Sequence, residues 1–144
     1  MKNAVAPIKS RYDRHTTAEE VTEGIDLQGR TAVVTGVNSG LGLETMRVLA
    51  ARGARVLGTA RTEAKAAAAC AEISGDTVPL ACELTDSDSI NGCIAAVADT
   101  PLDIVVANAG IMALPALELC RSVEMQFATN HLGIFSCSPL CWKT

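Results

Sequence analysis

A glycine-rich stretch in the first third of the sequence has the residue types that bind a phosphate group. The stretch is TGVNSGLG, Thr35 to Gly42, and it continues directly from the β-branched run TAVVT. Gly36 permits a tight turn, Gly40 lets a pyrophosphate approach the backbone, and Gly42 lets a helix pack closely on a strand. The N–H groups of the first helical turn then face the anion. We expect ligand binding here; the alternative is a tight turn with no ligand.

A second feature that could recognise a ligand is Arg61, which ends the next apolar run in the segment GTAR. Folds that bind NAD usually have an acidic residue at this strand end, where the carboxylate binds the ribose hydroxyls. A guanidinium group instead pairs with a 2′-phosphate, so Arg61 favours NADP over NAD. The alternative is an ordinary solvated charge. No Lys-Ser or Lys-Thr pair follows the glycines, which excludes the phosphate loop of nucleoside triphosphatases.

Strand and helix patterns alternate around these residues. Short apolar, β-branched runs predict strands over 31–35, 55–60, 77–84 and 102–110. Helical periodicity and capping residues predict helices over 41–53, 62–74, 86–99 and 115–133, the last beginning at Pro115. This order predicts an α/β fold, a doubly wound parallel sheet with helices on both faces. Pro79 in the third strand indicates an edge position, because proline cannot donate to a ladder.

The composition indicates one globular domain. The 144 residues are 49% hydrophobic, and the net charge of −4 includes no block of Lys or Arg, so nucleic acid and anionic membranes are not expected partners. No apolar run reaches the ~18–20 residues of a membrane span, and no signal peptide is recognisable, so we expect a cytoplasmic location. Residues 1–28 are polar, and a capping pattern at Thr16 or Thr17 predicts a short arm packed on a domain that begins near Gly29.

Cysteine spacing indicates free thiols rather than disulfides or a metal site. The six cysteines contain no C-x-x-C pair, and most lie in apolar or helical runs, so we expect mainly buried thiols. Cys137, Cys141 and His131 could be considered as metal ligands. Their spacing is loose and the ligands are too few, so we predict no metal site.

Three motifs in order resemble the short-chain dehydrogenase/reductase family. They are TGVNSGLG, ANAGIM (Ala107–Met112) after the fourth strand, and TNHLG (Thr129–Gly133) on the next helix. The segment TTAEEVTEGIDLQGRTAVVTG is similar to the retinol-dehydrogenase-like branch. The resemblance implies a Rossmann-type sheet that is incomplete here, with about four strands in the order 3-2-1-4. It implies an NAD(P)-binding domain over 29–133, followed by a tail, 134–144, that departs from the family.

The resemblance also implies roles in cofactor binding. Ser39 and Arg61 would flank a 2′-phosphate, and Asn108 would brace the central sheet beside the adenine ribose. Glu83 and Leu84 would border the adenine, with Glu83 in place of the family's usual aspartate. The full implied set is Gly36, Asn38, Ser39, Gly40, Leu41, Gly42, Arg61, Glu83, Leu84, Asn108, Ala109 and Gly110.

The catalytic part of the resemblance is incomplete. Asn130 matches the family's catalytic asparagine, which helps hold a water in a proton relay. The family also uses a serine and a Tyr-x-x-x-Lys motif to transfer a proton at the substrate oxygen, whereas the single tyrosine of this chain is Tyr12, in the arm. The resemblance therefore implies an oxidoreductase that moves a hydride between NADP and an alcohol or carbonyl, and we predict that this chain alone is inactive.

Two other functions fit the same residues. One is a non-catalytic nucleotide-binding module, and the other is a methyltransferase, whose glycine-rich loop also follows its first strand. Methyltransferases generally have an acidic residue where this chain has Arg61, which speaks against them. The fourth strand would form an open apolar edge, so we expect oligomerisation or aggregation there.

The tail Ile134–Thr144 reads differently in another frame. Starting from the last base of the Gly133 codon, suitable third bases convert it to His-Phe-Leu-Leu-Leu-Thr-Ala-Leu-Leu-Glu-Asp. The second Leu of its Leu-Leu-Glu run and the Glu follow whatever the third bases are. We therefore hypothesise a one-nucleotide change near Gly133 and a tail without a function of its own; the alternative is a genuine divergent C-terminus.

Overall fold

The structure is a computed structural model that describes residues 10–142, with side chains described for residues 10–140. The strands of the main sheet are β1 (Thr31–Thr35), β2 (Arg55–Ala60), β3 (Thr77–Ala81) and β4 (Ile104–Val106). The helices are α1 (Ala18–Val21), α2 (Gly40–Ala51), α3 (Glu63–Ala71) and α4 (Ser87–Ala96). A helical stretch follows, formed by α5 (Met125–Phe127), the π-helix Ala128–Gly133, α6 (Ile134–Ser136) and the 3₁₀ helix Ser138–Trp142.

All four strands are parallel, in the order β3-β2-β1-β4, which confirms the predicted fold class and strand order. β3 lies at one edge, as Pro79 predicted, and Pro79 is paired with Gly58 of β2. β4 lies at the other edge. Among residues 10–142, no strand pairs with its outer side.

Successive residues of each strand point to opposite faces of the sheet, and helices cover both of these faces. On one face, Val34 and Val56 pack with Met46 of α2 and with α3. On the other face, Val33 and Leu57 pack with α4 and with the helical stretch at the C-terminal end. Both faces meet helices, which explains the continuous apolar runs that predicted β1 and β2.

The C-terminal residues contribute to the second apolar face. Cys137 and Leu140 are 7% and 2% exposed, and they pack in the same cluster as Val33 and Leu57. The structure therefore gives these tail residues a packing role in the domain.

The prediction for the fourth helix is wrong in its first half. Residues before Met125 form a short antiparallel hairpin, β5 (Leu119–Cys120) and β6 (Val123–Glu124), instead of a helix from Pro115. The two turn residues have positive φ, 49° at Arg121 and 67° at Ser122, as two-residue hairpins require. The helix begins after Glu124 because its carboxylate accepts hydrogen bonds from the N–H groups of Gln126 and Phe127, at 2.9 and 2.7 Å.

Two strands are shorter than predicted. β3 ends at Ala81 rather than Leu84, and β4 covers Ile104–Val106 rather than 102–110. After Val106 the chain leaves the sheet, since the Asn108 N–H turns back to donate to the Val106 carbonyl at 3.1 Å.

The described part of the arm contacts α2. The predicted helix start is confirmed at Thr17, which forms a capping box with Glu20. Arg47 of α2 pairs with Glu19 at 2.8 Å, and the Leu27 N–H donates to the Arg52 carbonyl at 2.8 Å. Within residues 10–142, no helix is both long and apolar enough to cross a membrane.

The thiols are free where the structure describes them. Cys70, Cys82, Cys93 and Cys137 are buried and Cys120 is half-buried, and none of them forms a disulfide. Cys141, one of the three residues considered as metal ligands, lies outside the described side chains. Residues 10–140 contain no group of three or more His, Cys, Asp or Glu that could hold a metal ion.

Candidate functional site

The glycine-rich turn joins β1 to α2 through two close backbone approaches. Gly36 has a φ of +74°, in the left-handed region that favours glycine, and a Cβ there would lie 2.9 Å from Ala109 Cα. A Cβ at Gly42 would collide with the Gly36 carbonyl oxygen and lie 2.5 Å from Asn108 Nδ2. A side chain at either position would therefore displace the backbone that shapes the turn.

Thr35 and Asn108 connect the ends of the two central strands. The buried Thr35 Oγ1 accepts hydrogen bonds from the N–H groups of Asn108 and Ala109, both at 3.0 Å. The Asn108 Nδ2 donates in return to the carbonyl oxygens of Thr35 and Gly36, at 2.9 and 3.4 Å. These bonds fix the loop after β4 against the glycine turn.

The N-terminus of α2 is suited to an anion. The helix begins at Gly40, where a Cβ would meet nothing within 4 Å. Ser39 occupies the capping position, yet its hydroxyl makes no capping hydrogen bond, and the first turn contains no acidic residue. The positive end of the helix dipole and its N–H groups thus face the turn without a carboxylate to compete.

A cleft of about 300 Å³ opens at the carboxyl ends of the four parallel strands. Parallel sheets bring these strand ends to one edge, where ligands bind in folds of this type. All of the predicted cofactor-binding residues except Gly40 line the cleft. The lining residues that sequence reasoning missed are Ala60, Cys82, Ile111 and Thr129.

A signal for each missed residue was present in the sequence. Ala60 and Cys82 come directly before Arg61 and Glu83 at the carboxyl ends of neighbouring strands, so the parallel-sheet rule could have included them. Ile111 and Thr129 belong to the motifs ANAGIM and TNHLG. Thr35 was also missed as a structural residue, although it precedes Gly36 in the first motif.

Arg61 lies at the edge of the cleft, where its guanidinium group is available to a ligand. It is exposed, it lines the cleft, and its side chain has no hydrogen bond or ion pair with any residue in 10–140. An unpaired guanidinium beside a helix N-terminus makes this end of the cleft electropositive. It can accept a phosphate monoester without first breaking an internal ion pair.

Glu83 is oriented by its own loop. Its carboxylate accepts hydrogen bonds from the Thr85 N–H and hydroxyl, at 3.2 and 3.0 Å, and its N–H donates to Ser89 Oγ at 2.9 Å. Leu84, the next residue, is 6% exposed and packs beneath Gly133, where a Cβ would lie 2.7 Å from Leu84 Cβ. These contacts place the Glu83–Leu84 wall between α4 and the C-terminal helical stretch.

Asn130 lies beside the cleft, in the π-helix Ala128–Gly133. Its Oδ1 accepts a hydrogen bond from the Ile111 N–H at 2.8 Å, and its Nδ2 donates to the Ile111 carbonyl at 2.7 Å. The side chain thereby holds the loop that follows β4. Thr129, its neighbour, is the residue of this helix that lines the cleft.

The described lining of the cleft lacks the two residue types of the Tyr-x-x-x-Lys motif. None of its lining residues is a tyrosine or a lysine. The single tyrosine, Tyr12, lies in the arm, where its hydroxyl accepts a hydrogen bond from Arg11 at 2.8 Å. The structure therefore brings together the predicted cofactor residues and does not bring a tyrosine to them.

Comparison with known proteins gives one consistent relationship. The family model described as short chain dehydrogenase matches residues 30–144. The chain is 41% identical over 135 residues to a short-chain dehydrogenase, TIC 32 B, chloroplastic, of Brassica napus, covering 88% of this chain and 42% of that protein. It is 36% identical over 121 residues to retinol dehydrogenase 12 of Mus musculus, covering 79% of this chain and 38% of that protein.

A solved structure with the same fold supports this relationship. A crystal structure of an uncharacterised protein from Mycobacterium Paratuberculosis superposes with a TM-score of 0.72 at 38% identity. The match covers 81% of this chain and 42% of that one. The chain thus spans less than half the length of these matched proteins.

Proposed function

The chain belongs to the short-chain dehydrogenase/reductase family of oxidoreductases, and on this premise we propose that its cleft binds NADP in preference to NAD. The observation that carries the proposal is Arg61, which is exposed on the cleft at the end of β2 and has no hydrogen bond or ion pair with the side chains or backbone of residues 10–140. The 2′-phosphate is the group that distinguishes the two cofactors, and a guanidinium stabilises it.

The shape of the turn supports a dinucleotide in this cleft. A Cβ at Gly36 or Gly42 would meet backbone or the Asn108 amide, so the turn stays open only with glycine. The α2 N–H groups and the unused Ser39 hydroxyl would bind phosphate oxygens. Glu83 and Leu84 would border the adenine, and Asn108 at the end of β4 would brace the sheet beside the adenine ribose.

A bound nicotinamide cofactor supplies or accepts a hydride at an alcohol or carbonyl carbon, and the residues of this chain would position it. Asn130 would hold the Ile111 loop against the cofactor. The described lining of the cleft includes no tyrosine or lysine, so we propose that the chain alone does not turn over an alcohol or carbonyl. Incubation with NADPH and a panel of carbonyls tests this, and turnover above background would contradict it.

The preference for NADP is tested by titration calorimetry with Arg61→Ala. The expected result is a loss of NADP⁺ affinity of about tenfold or more with little change for NAD⁺, since only NADP⁺ has the charged hydrogen-bond acceptor. Arg55→Ala is the matched control, because Arg55 is also exposed on β2 but lies at the opposite end of the strand. Equal losses for both cofactors would contradict the role of Arg61.

A second candidate is a non-catalytic nucleotide-binding module. The absence of tyrosine and lysine from the described cleft lining favours it. Stoichiometric NADP binding without turnover, in a folded monomer or a defined complex, would support this function. The family membership leaves no reason to retain the methyltransferase.

The substrate class would be a small alcohol or carbonyl, and the location cytoplasmic. The outer side of β4, unpaired within residues 10–142, would promote self-association. Size-exclusion chromatography with light scattering over a range of concentrations tests that part.

A further inference from the structure

Three buried thiols from different parts of the chain pack behind the Glu83–Leu84 wall of the cleft. Cys82 follows β3, Cys93 lies on α4, and Cys137 follows α6; all three belong to one apolar cluster. Their exposures are 5%, 5% and 7%. The three thiols therefore share one apolar environment formed by the end of β3, α4 and the C-terminal helical stretch.

Two members of this cluster also line surface cavities. Cys82 lines the cleft next to Glu83. Cys93 lines a shallow cavity between the β3 edge and α4, shared with Pro79 and Gly92. A small oxidant can therefore approach the pair from either cavity, whereas Cys137 lines neither.

We propose that Cys82 and Cys93 are a modification site for hydroperoxides, at which the two thiols are oxidised to a disulfide. The Cys93 sulfur attacks the hydroperoxide, the O–O bond breaks, and Cys93 becomes a sulfenic acid while an alcohol or water leaves. The Cys82 sulfur then attacks the Cys93 sulfur, the S–O bond breaks, and water leaves with the Cys82 proton. Two thiols lose two electrons and one hydroperoxide is reduced.

The hydrogen bonds of the cluster support this order of events. Hydrogen bonds with Cys137 and Cys93, together with burial, raise the pKa of the Cys82 thiol. The hydrogen bond from Cys82 lowers the pKa of Cys93, against the opposing effect of burial. Hydrogen bonding with Cys82 also lowers the pKa of Cys137, but Cys137 lines neither cavity. Since the thiolate is the nucleophile, Cys93 is therefore suited to the first attack and Cys82 to the second.

Peptide mapping by mass spectrometry after hydrogen peroxide treatment and thiol blocking tests the site. The expected result is a Cys82–Cys93 bond, with both thiols lost at least about tenfold faster than Cys70, which is buried in the other cluster. The bond should persist in Cys137→Ala and disappear in Cys93→Ala. If Cys93→Ala does not fold, the wild-type map decides alone: no disulfide, or one between other cysteines, overturns the proposal.

A second measurement, the rate at which the Cys82 thiol is lost when NADP⁺ is present, rests on the proposed function. NADP⁺ in the cleft should slow the loss of the Cys82 thiol at least about threefold, because the nucleotide covers the surface that Cys82 lines. If the map shows the disulfide but NADP⁺ has no effect and does not bind, the proposed function fails and the disulfide site stands. If NADP⁺ binds and no disulfide forms, the disulfide site fails and the proposed function stands.

Discussion

The Asn130 side chain forms two hydrogen bonds with the backbone of Ile111: its Oδ1 accepts from the Ile111 N–H at 2.8 Å, and its Nδ2 donates to the Ile111 carbonyl at 2.7 Å. The two residues lie on different elements, one in the π-helix and the other in the loop after β4. Short π-helical turns are frequent at functional sites. The pair thus couples the C-terminal helical stretch to the floor of the cleft.

Replacing Asn130 with alanine should release that loop. Two hydrogen bonds would be lost near the surface, so we expect the free energy of unfolding to fall by about 1–2 kcal/mol. Urea denaturation measures it. The control is Asn91→Ala on α4, where the exposed side chain makes no hydrogen bond with residues 10–140, and its change should be smaller. Equal changes in both variants would show that the Ile111 contacts do not stabilise the protein.

Replacing Gly42 with alanine should distort the turn. The new Cβ would collide with the Gly36 carbonyl and crowd Asn108 Nδ2. We therefore expect the free energy of unfolding to fall by about 1–3 kcal/mol. We also expect nucleotide binding to be lost. Gly92→Ala is the matched helical control. A Cβ there meets nothing within 4 Å, so stability should rise by about 0.5–1 kcal/mol. A neutral Gly42→Ala would contradict the close packing.

Replacing Thr35 with valine should remove the side-chain acceptor shared by two backbone donors. The Thr35 hydroxyl is the acceptor for the N–H groups of Asn108 and Ala109, and the side chain is 3% exposed. We expect a loss of about 1–3 kcal/mol, measured by denaturation, because the Ala109 N–H would lose its acceptor while the Asn108 N–H would keep the Val106 carbonyl. Thr35→Ser retains the oxygen and should lose less stability; a serine variant as unstable as the valine variant would point to packing instead.

Asp103 should make stability depend on acid pH. Hydrogen bonds from the Thr31 N–H at 2.8 Å and from Arg30 at 2.6 Å lower the pKa of this carboxyl below its ordinary value. A lowered folded-state pKa gives stability that is present above the unfolded value, about 3.9, and is lost as pH falls through the folded value.

Asp103→Asn should therefore be less stable than wild type at pH 6, and the difference should shrink below about pH 4. Thermal melts at both pH values measure it. Asp99→Asn is the control, since the Asp99 side chain has no hydrogen bond with residues 10–140. A difference that is constant from pH 6 to pH 3 would exclude titration of Asp103 as its cause.

The parallel sheet could be predicted from the sequence because its signals are local. β1 and β2 are short β-branched runs, α3 begins after the capping residue Thr62, and α4 begins after Asp86. Pro79 marked the edge strand by its missing donor. Each of these features predicts a strand or a helix at its own position, and together they predict the alternating order of strands and helices.

The hairpin before Met125 could not be predicted in the same way. Leu117 and Leu119 have helical spacing with later apolar residues, but they are 76% and 59% exposed, so this pattern does not reflect burial. Arg121 and Ser122 adopt positive φ without a glycine to indicate it. The contacts between Asn130 and Ile111 were also hidden, because a side chain that reaches across the fold leaves no periodic signal.

The reading-frame hypothesis for residues 134–144 stays a prediction. Ile134, Cys137 and Leu140 pack on the second apolar face, so the residues as they stand can complete the helix's packing. The coding DNA decides the matter. A Tyr-x-x-x-Lys motif downstream in a shifted frame supports the hypothesis, and no such motif in any frame contradicts it.

NADP binding in the cleft at the carboxyl ends of β1 to β4 can be located by hydrogen–deuterium exchange with and without saturating NADP⁺, because amide protection reports where the ligand lies. We expect slower exchange over residues 36–42, 82–84 and 108–111, with a smaller effect for NAD⁺ near Arg61. No protection, or protection confined to segments outside the cleft, would contradict it.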